Sequence, residues 1–127
     1  NPEWDARLTK GQALFTEHCA SCHGPEGRGN GPGAQFLNPR PRDFTIAAFL
    51  YRSTQAGNMP LDADLFRTLW RGLPGSSMPS WRELPDTQLW LLVDFVQTFA
   101  EIRKVEGLHP KFTTRRAAST TCFSLGM

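Results

Sequence analysis

The strongest constraint in this sequence is a pair of cysteines three positions apart, followed directly by a histidine. Cys19 and Cys22 are separated by two small residues, and His23 comes next. The chain has three cysteines in all, the third being Cys122, and an odd number in a small protein is not typical of a disulfide framework. The paired thiols therefore indicate chemistry at one site.

This run predicts a haem held through thioether bonds. Two thiols with this spacing, at the end of a helix, can each reach one vinyl group of a haem, and His23 then lies under the iron as a neutral imidazole ligand. A dithiol redox site uses the same cysteine spacing, but it normally lies where a strand meets a helix, and no strand pattern precedes Cys19. A zinc site would need a fourth ligand, for which only His18, His109 and Cys122 remain.

Two Met-Pro dipeptides offer the second axial ligand. Met78 lies in a Gly- and Pro-rich loop between two predicted helices, and a His/Met ligand pair favours a raised reduction potential. Met59 also precedes a proline, but it has only loop before it, so choosing it would leave the last helix without a loop to anchor it over the haem. A histidine such as His109 is the third candidate. Because methionine is also a common core residue, the sequence favours Met78 without excluding the others.

Apolar spacing predicts three main helices and no strands, so the expected fold class is all-α with long loops. The first helix covers about residues 3–18, the second runs from Asp62 to a glycine stop at Gly72, and the last begins near Pro85. Residues 24–42 are predicted to be irregular, with a short helical piece after Asp43. Gly11 costs the first helix about 1 kcal/mol relative to Ala, which indicates a close approach by another element.

Charge divides the chain at about residue 106. Residues 1–106 hold eleven Lys and Arg against twelve Asp and Glu, so nothing there indicates nucleic-acid binding. Residues 107–127 carry a net charge of +3 and are rich in Thr and Ser, which is typical of a tail or linker. No apolar run is long enough to span a membrane and no signal peptide is visible, so we expect a soluble chain that is processed or excised.

Over residues 5–105 the sequence resembles the bacterial monohaem class I c-type cytochromes. The resemblance rests on segments whose order and spacing are specific: Gly11 and Phe15, Cys19-Ala20-Ser21-Cys22-His23, Gly31-Pro32-Gly33, Met78-Pro79, and Leu92-Val93-Asp94-Phe95-Val96. Within that family it is most similar to domains that share three further segments: Pro41-Arg42-Asp43-Phe44, Arg52-Ser53-Thr54, and Arg71-Gly72-Leu73-Pro74-Gly75. Such domains occur as free cytochromes and as parts of larger periplasmic redox enzymes.

The resemblance implies a cytochrome c fold, in which the first and last helices cross with Gly11 against Phe95. It also implies roles for four residues near the haem: the carbonyl of Pro32 would accept a hydrogen bond from the proximal histidine, Arg42 and Arg52 would bind the propionates, and Trp81 would border the haem. The arginines are equally compatible with solvated surface charges, and Trp81 with ordinary core. His18, adjacent to Cys19, is expected to face outward without a role, and the tail with Cys122 departs from the family pattern.

Function follows from the ligand set. A six-coordinate haem c has no open position for a substrate, so the expected role is one-electron transfer in the periplasm rather than catalysis. Redox partners would bind transiently through small interfaces. The alternative is a fused or associated domain of a larger oxidoreductase, which the linker-like tail favours. A haem-based gas sensor, in which Met78 dissociates, is the third hypothesis.

Overall fold

The computed structural model describes residues 1–46, 49, 52–55 and 59–104, with the backbone alone for 100–104. In chain order the elements are α1 (Pro2–His18), α2 (Ala20–His23), 3₁₀ turns at Ala34–Phe36 and Phe44–Ile46, α3 (Asp62–Arg71) and α4 (Asp86–Lys104). This part of the chain contains no strand, and the all-α prediction is confirmed. The three predicted helices are present, with α4 beginning one residue after Pro85.

α1 crosses α4 where the sequence predicts. The side chain of Asn1 caps α1 by accepting hydrogen bonds from the backbone N–H groups of Glu3 and Trp4. A Cβ added to Gly11 would lie 2.5 Å from the carbonyl oxygen of Leu91 and 2.9 Å from the Cβ of Phe95. Phe15, one turn further on, is 1% exposed, and its ring centroid is 5.4 Å from that of Phe95. The missing side chain at position 11 therefore allows the two backbones to approach.

α3 begins at Asp62 as predicted, but its capping group lies further inside the helix. The Oδ2 atom of Asp64 accepts hydrogen bonds from the backbone N–H of Leu61 at 2.9 Å and of Ser53 at 2.8 Å. The Ser53 hydroxyl donates to the same oxygen at 3.0 Å. One buried carboxylate thus closes the first turn of α3 and fastens residues 52–55 to it. The helix stops at Gly72, whose φ of +69° is unfavourable for other residues.

α4 is the element on which the other helices pack. Both α1 and α3 lie against it, and among the described residues no Cα atom of α1 lies within 8 Å of one in α3. Each contact includes a polar bond to a buried side chain of α4: Arg7 of α1 donates to the Oδ2 of Asp94 at 2.6 Å, and the amide of Gln97 donates to Asp62 of α3. Because a buried polar group is costly without a partner, these bonds fix the positions of α1 and α3 along α4.

None of the described helices combines the length and the apolar character that crossing a bilayer requires. Residues 107–127, including His109 and Cys122, lie outside the described residues. The division into a domain at 1–106 and a tail at 107–127 stays a prediction.

Candidate haem site

The two thiols and the imidazole lie on a single helical turn. α1 ends at His18, the backbone bends at Cys19, and α2 carries the chain through His23. The N–H of His23 donates to the carbonyl of Cys19 at 2.9 Å. Cys19 is buried, Cys22 is partly exposed, and both are free thiols. We call residues 19–23 the attachment motif, since its geometry places two thiols and one imidazole within reach of one planar group.

The following loop, residues 24–33, folds back onto the attachment motif and is called the attachment loop. Its glycine N–H groups donate to the carbonyls of the motif: Gly29 to His23 at 2.8 Å, Gly31 to Cys22 at 3.0 Å and Gly33 to Ser21 at 2.8 Å. A Cβ added to Gly31 would lie 2.5 Å from the carbonyl oxygen of Ala20. Glycine is therefore required at position 31 for the two backbones to lie this close.

The imidazole of His23 is held by one hydrogen bond and one stacking contact. Its Nδ1 lies 3.1 Å from the carbonyl oxygen of Arg42, and its ring stacks on Phe44 with centroids 4.4 Å apart. Because a carbonyl only accepts, Nδ1 carries the proton, and Nε2 has no hydrogen-bond partner among the described residues. The acceptor in this structure is the carbonyl of Arg42, whereas the family resemblance implies that of Pro32. The N–H of Phe44 donates to the carbonyl of Gly27 at 2.7 Å. This bond holds the segment that carries the Arg42 carbonyl next to the His23 ring.

Burial controls the protonation of the site. It lowers the pKa of His23, although the hydrogen bond to the Arg42 carbonyl acts in the opposite direction. A neutral ring with Nδ1 engaged presents the lone pair of Nε2, which is the state that a metal ligand needs. Burial, with a smaller contribution from the nearby Cys22, raises the pKa of the Cys19 thiol to about 12. A thiol that stays protonated is poorly suited to dithiol exchange, so this geometry does not favour the dithiol alternative.

Met78 lies in residues 72–81, here called the methionine loop, which is fastened to the end of α3. The N–H of Leu73 donates to the carbonyl of Met78 at 3.1 Å, and the N–H of Met78 donates to the hydroxyl of Ser76 at 3.2 Å. Met78 is partly buried against the core, and Met59 has the same kind of environment. Burial therefore does not distinguish the two candidates.

The remaining predicted residues occupy different positions around the site. The side chain of Arg42 is exposed, whereas the guanidinium of Arg52 donates to the carbonyls of Phe49 and Gln55 within its own loop. Trp81 is partly buried, and its ring centroid lies 5.1 Å from that of His18.

His18 differs from the outward position expected for it. Only 21% of its side chain is exposed, because the ring packs on Trp81. Helical spacing could have indicated this inward position. His18 lies three residues after the buried Phe15 and four after Leu14, which also packs on the core, so the three side chains share one face of α1.

The donor set fits a covalently bound haem. Two free thiols on one turn match the two vinyl groups, and the Nε2 of a neutral His23 matches the iron. Among the described residues, no group of three or more His, Cys, Asp or Glu side chains could hold a metal ion. The zinc alternative therefore finds no ligand set there, and its candidates His109 and Cys122 lie outside the described residues.

Known proteins support the same assignment. Residues 6–96 match the family model described as cytochrome c oxidase, cbb3-type, subunit III. A solved chain from the Kuenenia stuttgartiensis reducing HAO-like protein complex Kustc0457/Kustc0458 is 36% identical, with a TM-score of 0.73. That alignment covers 80% of this chain and 45% of the solved chain, so this chain spans less than half of the length of the protein it matches. No curated protein sequence matches significantly. The family match covers most of the sequence and includes the attachment motif and both Met-Pro dipeptides, and the chain therefore belongs to this family of c-type cytochrome domains, which transfer electrons through covalently bound haem c.

Proposed function

We propose that this chain carries single electrons through one haem that is bonded to Cys19 and Cys22 and ligated by His23 and Met78. The observation that carries the proposal is the attachment motif, where two free thiols and an imidazole with Nδ1 engaged and Nε2 available share one helical turn. When bound, haem c supplies an iron that takes up and releases one electron. His23 and Met78 would together ligate the iron, which would leave no position for a substrate.

The protein's contribution is to hold the ligands and to exclude water. The Arg42 carbonyl fixes the tautomer of His23, and stacking on Phe44 fixes the plane of its ring. Phe44 in turn stacks on Phe99, with centroids 6.2 Å apart, and Phe99 lies 5.2 Å from Phe15. An aromatic surround lowers the local dielectric, which favours the less charged reduced state and raises the potential.

The outer contacts of the haem belong to the same proposal. Arg42 and Arg52 would neutralise the propionates, while Pro32 and Trp81 would form part of the wall. Support for Arg52 comes from its anchoring: the Nε bonded to Gln55 at 3.2 Å limits where the guanidinium can point. A guanidinium held in this way loses less conformational freedom when it binds an anion.

We place the protein in the periplasm, because covalent haem attachment in bacteria is carried out outside the cytoplasm. Its partners would be redox proteins, met either transiently or within a larger oxidoreductase of a respiratory chain. The second arrangement is supported by two observations: the family is described as a subunit of an oxidase, and the matched solved chain is more than twice as long as the aligned region and belongs to a complex.

Haem attachment is tested by producing the chain in a bacterium that matures c-type cytochromes. After acid–acetone extraction the haem should stay with the polypeptide, whose mass should exceed 14.2 kDa by one haem. The double variant Cys19→Ser, Cys22→Ser should release its haem, whereas Cys122→Ser, the matched control, should behave as the wild type. Extractable haem in the wild type would refute the proposal.

A further inference from the structure

The two sides of the haem site lie on helices whose backbones do not approach each other closely among the described residues. α1 leads directly into the attachment motif, and α3 holds the methionine loop. Each helix packs on α4, and within the described part of the chain no Cα atom of α1 lies within 8 Å of one in α3. The separation between His23 and Met78 therefore depends on how both helices pack on α4 and on any side-chain contact that joins the two sides directly.

The rings of His18 and Trp81 make such a contact. Their centroids are 5.1 Å apart and their planes are inclined by 54°. His18 directly precedes Cys19 on the attachment side, and Trp81 follows Met78 by three residues on the other. The pair thus joins the two sides next to the residues that would bind the haem.

Trp81 is well anchored to the methionine side. Its N–H donates to the carbonyl of Leu69 in α3 at 2.8 Å, and its carbonyl accepts from Leu84 at 3.0 Å. His18 is anchored by its place in the last turn of α1, and most of its side chain is covered. Because both backbones are held, a displacement of one ring must be transmitted to the segment that carries it.

We propose that His18 is a positioning residue whose ring supports Trp81 and thereby keeps the methionine loop closed over the iron. The inference rests on the proposed function, in which Met78 is the axial ligand. The contact acts through ring packing and not through charge. The carboxylate of Glu17 lies 3.7 Å from the Nε2 of His18, but Glu17 is 71% exposed, and an ion pair of this kind contributes little.

The experiment measures imidazole binding to the oxidised holoprotein, followed by loss of the weak near-infrared band of methionine ligation. Imidazole must displace the methionine, so its apparent affinity reports how often the loop opens. We expect His18→Ala to bind imidazole about three- to tenfold more tightly, the range that one aromatic contact supplies. His18→Phe, which retains an aromatic ring, and Glu17→Ala, which removes only the ion pair, should stay within about twofold of the wild type.

The inference would be overturned if His18→Ala bound imidazole with wild-type affinity. It would also be overturned if His18→Phe bound imidazole as tightly as His18→Ala is expected to. If His18→Ala does not yield holoprotein, Trp81→Leu removes the contact from the other side and should show the same increase, and an unchanged affinity there would overturn the inference. A failure of the proposed ligand set can be distinguished from a failure of this inference by the near-infrared band. In that case the wild type lacks the near-infrared band, or Met78→Ala retains it, whatever His18 does.

Discussion

Backbone hydrogen bonds hold both sides of the haem site, but serine hydroxyls add to them on the methionine side. On the attachment side, three glycine amides of the attachment loop bind three successive carbonyls of the attachment motif, so the structure is built from backbone groups. On the methionine side, serine hydroxyls take part: Ser76 accepts from the N–H of Met78, and Ser80 donates to the carbonyl of Trp70 at 2.6 Å. A side-chain bond can be changed by one substitution without moving the backbone. A single substitution can therefore change fewer of the hydrogen bonds on the side with covalent attachment. On the side with the exchangeable ligand, substitution of a serine can remove a bond without moving the backbone.

The largest expected effect is on the spectrum and the reduction potential, and it should follow from replacing Met78 on the methionine side. Met78→Ala should abolish the near-infrared band, open the iron to carbon monoxide and lower the potential by on the order of 0.1 V, within the ~0.8 V that axial ligands span. The loss of a thioether ligand removes its preference for reduced iron. Met59→Ala, the matched control from the other Met-Pro dipeptide, should change none of these. Spectra and redox titration of the holoproteins provide the measurement.

Reversed behaviour of the two variants would move the ligand to Met59. If neither variant changes the band, the ligand is not a methionine of either dipeptide, and His109 is the next candidate. Carbon monoxide binding by the unmodified reduced protein would favour the gas-sensor hypothesis.

A smaller effect should follow from crowding the attachment side. Gly31→Ala places a Cβ 2.5 Å from the carbonyl oxygen of Ala20, so the attachment loop must move away from the motif. We expect the free energy of unfolding to fall by about 1–3 kcal/mol, as for other overpacked sites. In Gly33→Ala the added atom meets the Ser21 carbonyl oxygen at 3.2 Å, and the cost should be lower. Urea unfolding of both holoproteins tests this, and equal midpoints would show that the loop is not confined at position 31.

Removing a serine hydroxyl from the methionine side should lower the free energy of unfolding by less than Gly31→Ala does. Ser80→Ala loses the bond to Trp70 and an acceptor for the backbone N–H of Arg82, so we expect a loss of about 0.5–1.5 kcal/mol. Ser77→Ala is the control, because Ser77 is exposed and should tolerate the change within about 0.5 kcal/mol. The same urea experiment gives both values. A loss in Ser80→Ala larger than in Gly31→Ala would contradict the contrast between the two sides.

The smallest effect is expected from deletion of residues 107–127. A tail without apolar periodicity should contribute little to the stability of the haem domain, so the visible spectrum and the potential should match those of the full chain. Spectroscopy, redox titration and urea unfolding of the two forms make the comparison. A marked loss of stability would show that the tail packs on the domain.

Sequence periodicity was sufficient for the helices, and family resemblance added their crossing. Phe15 and Leu92 lie on apolar stripes, Gly11 indicated a close approach by another element, and the resemblance implied Phe95 as its partner. The attachment motif was equally accessible, because its residues are adjacent in the chain. Features whose residues are close together in the sequence can therefore be predicted from local patterns.

The rest of the site depends on contacts that no local pattern encodes. The acceptor for His23 is a backbone carbonyl, which every residue has, so nothing in the sequence separated Arg42 from Pro32. The contact between His18 and Trp81 joins distant segments. The choice between Met78 and Met59 stays open for the same reason, since both share a dipeptide and a partly buried environment.

α4 is the last helix that the structure describes, and this position has a consequence for the order of assembly. Phe15 and Cys19 are buried among residues that include Phe99 of α4, so the N-terminal segment completes its packing only after the last helix has been made. Closing such a long loop is entropically unfavourable until both ends can make their contacts. In a chain whose α4 has not yet packed, the two thiols therefore lack this cover, which is the state in which haem can be joined to them before the fold closes.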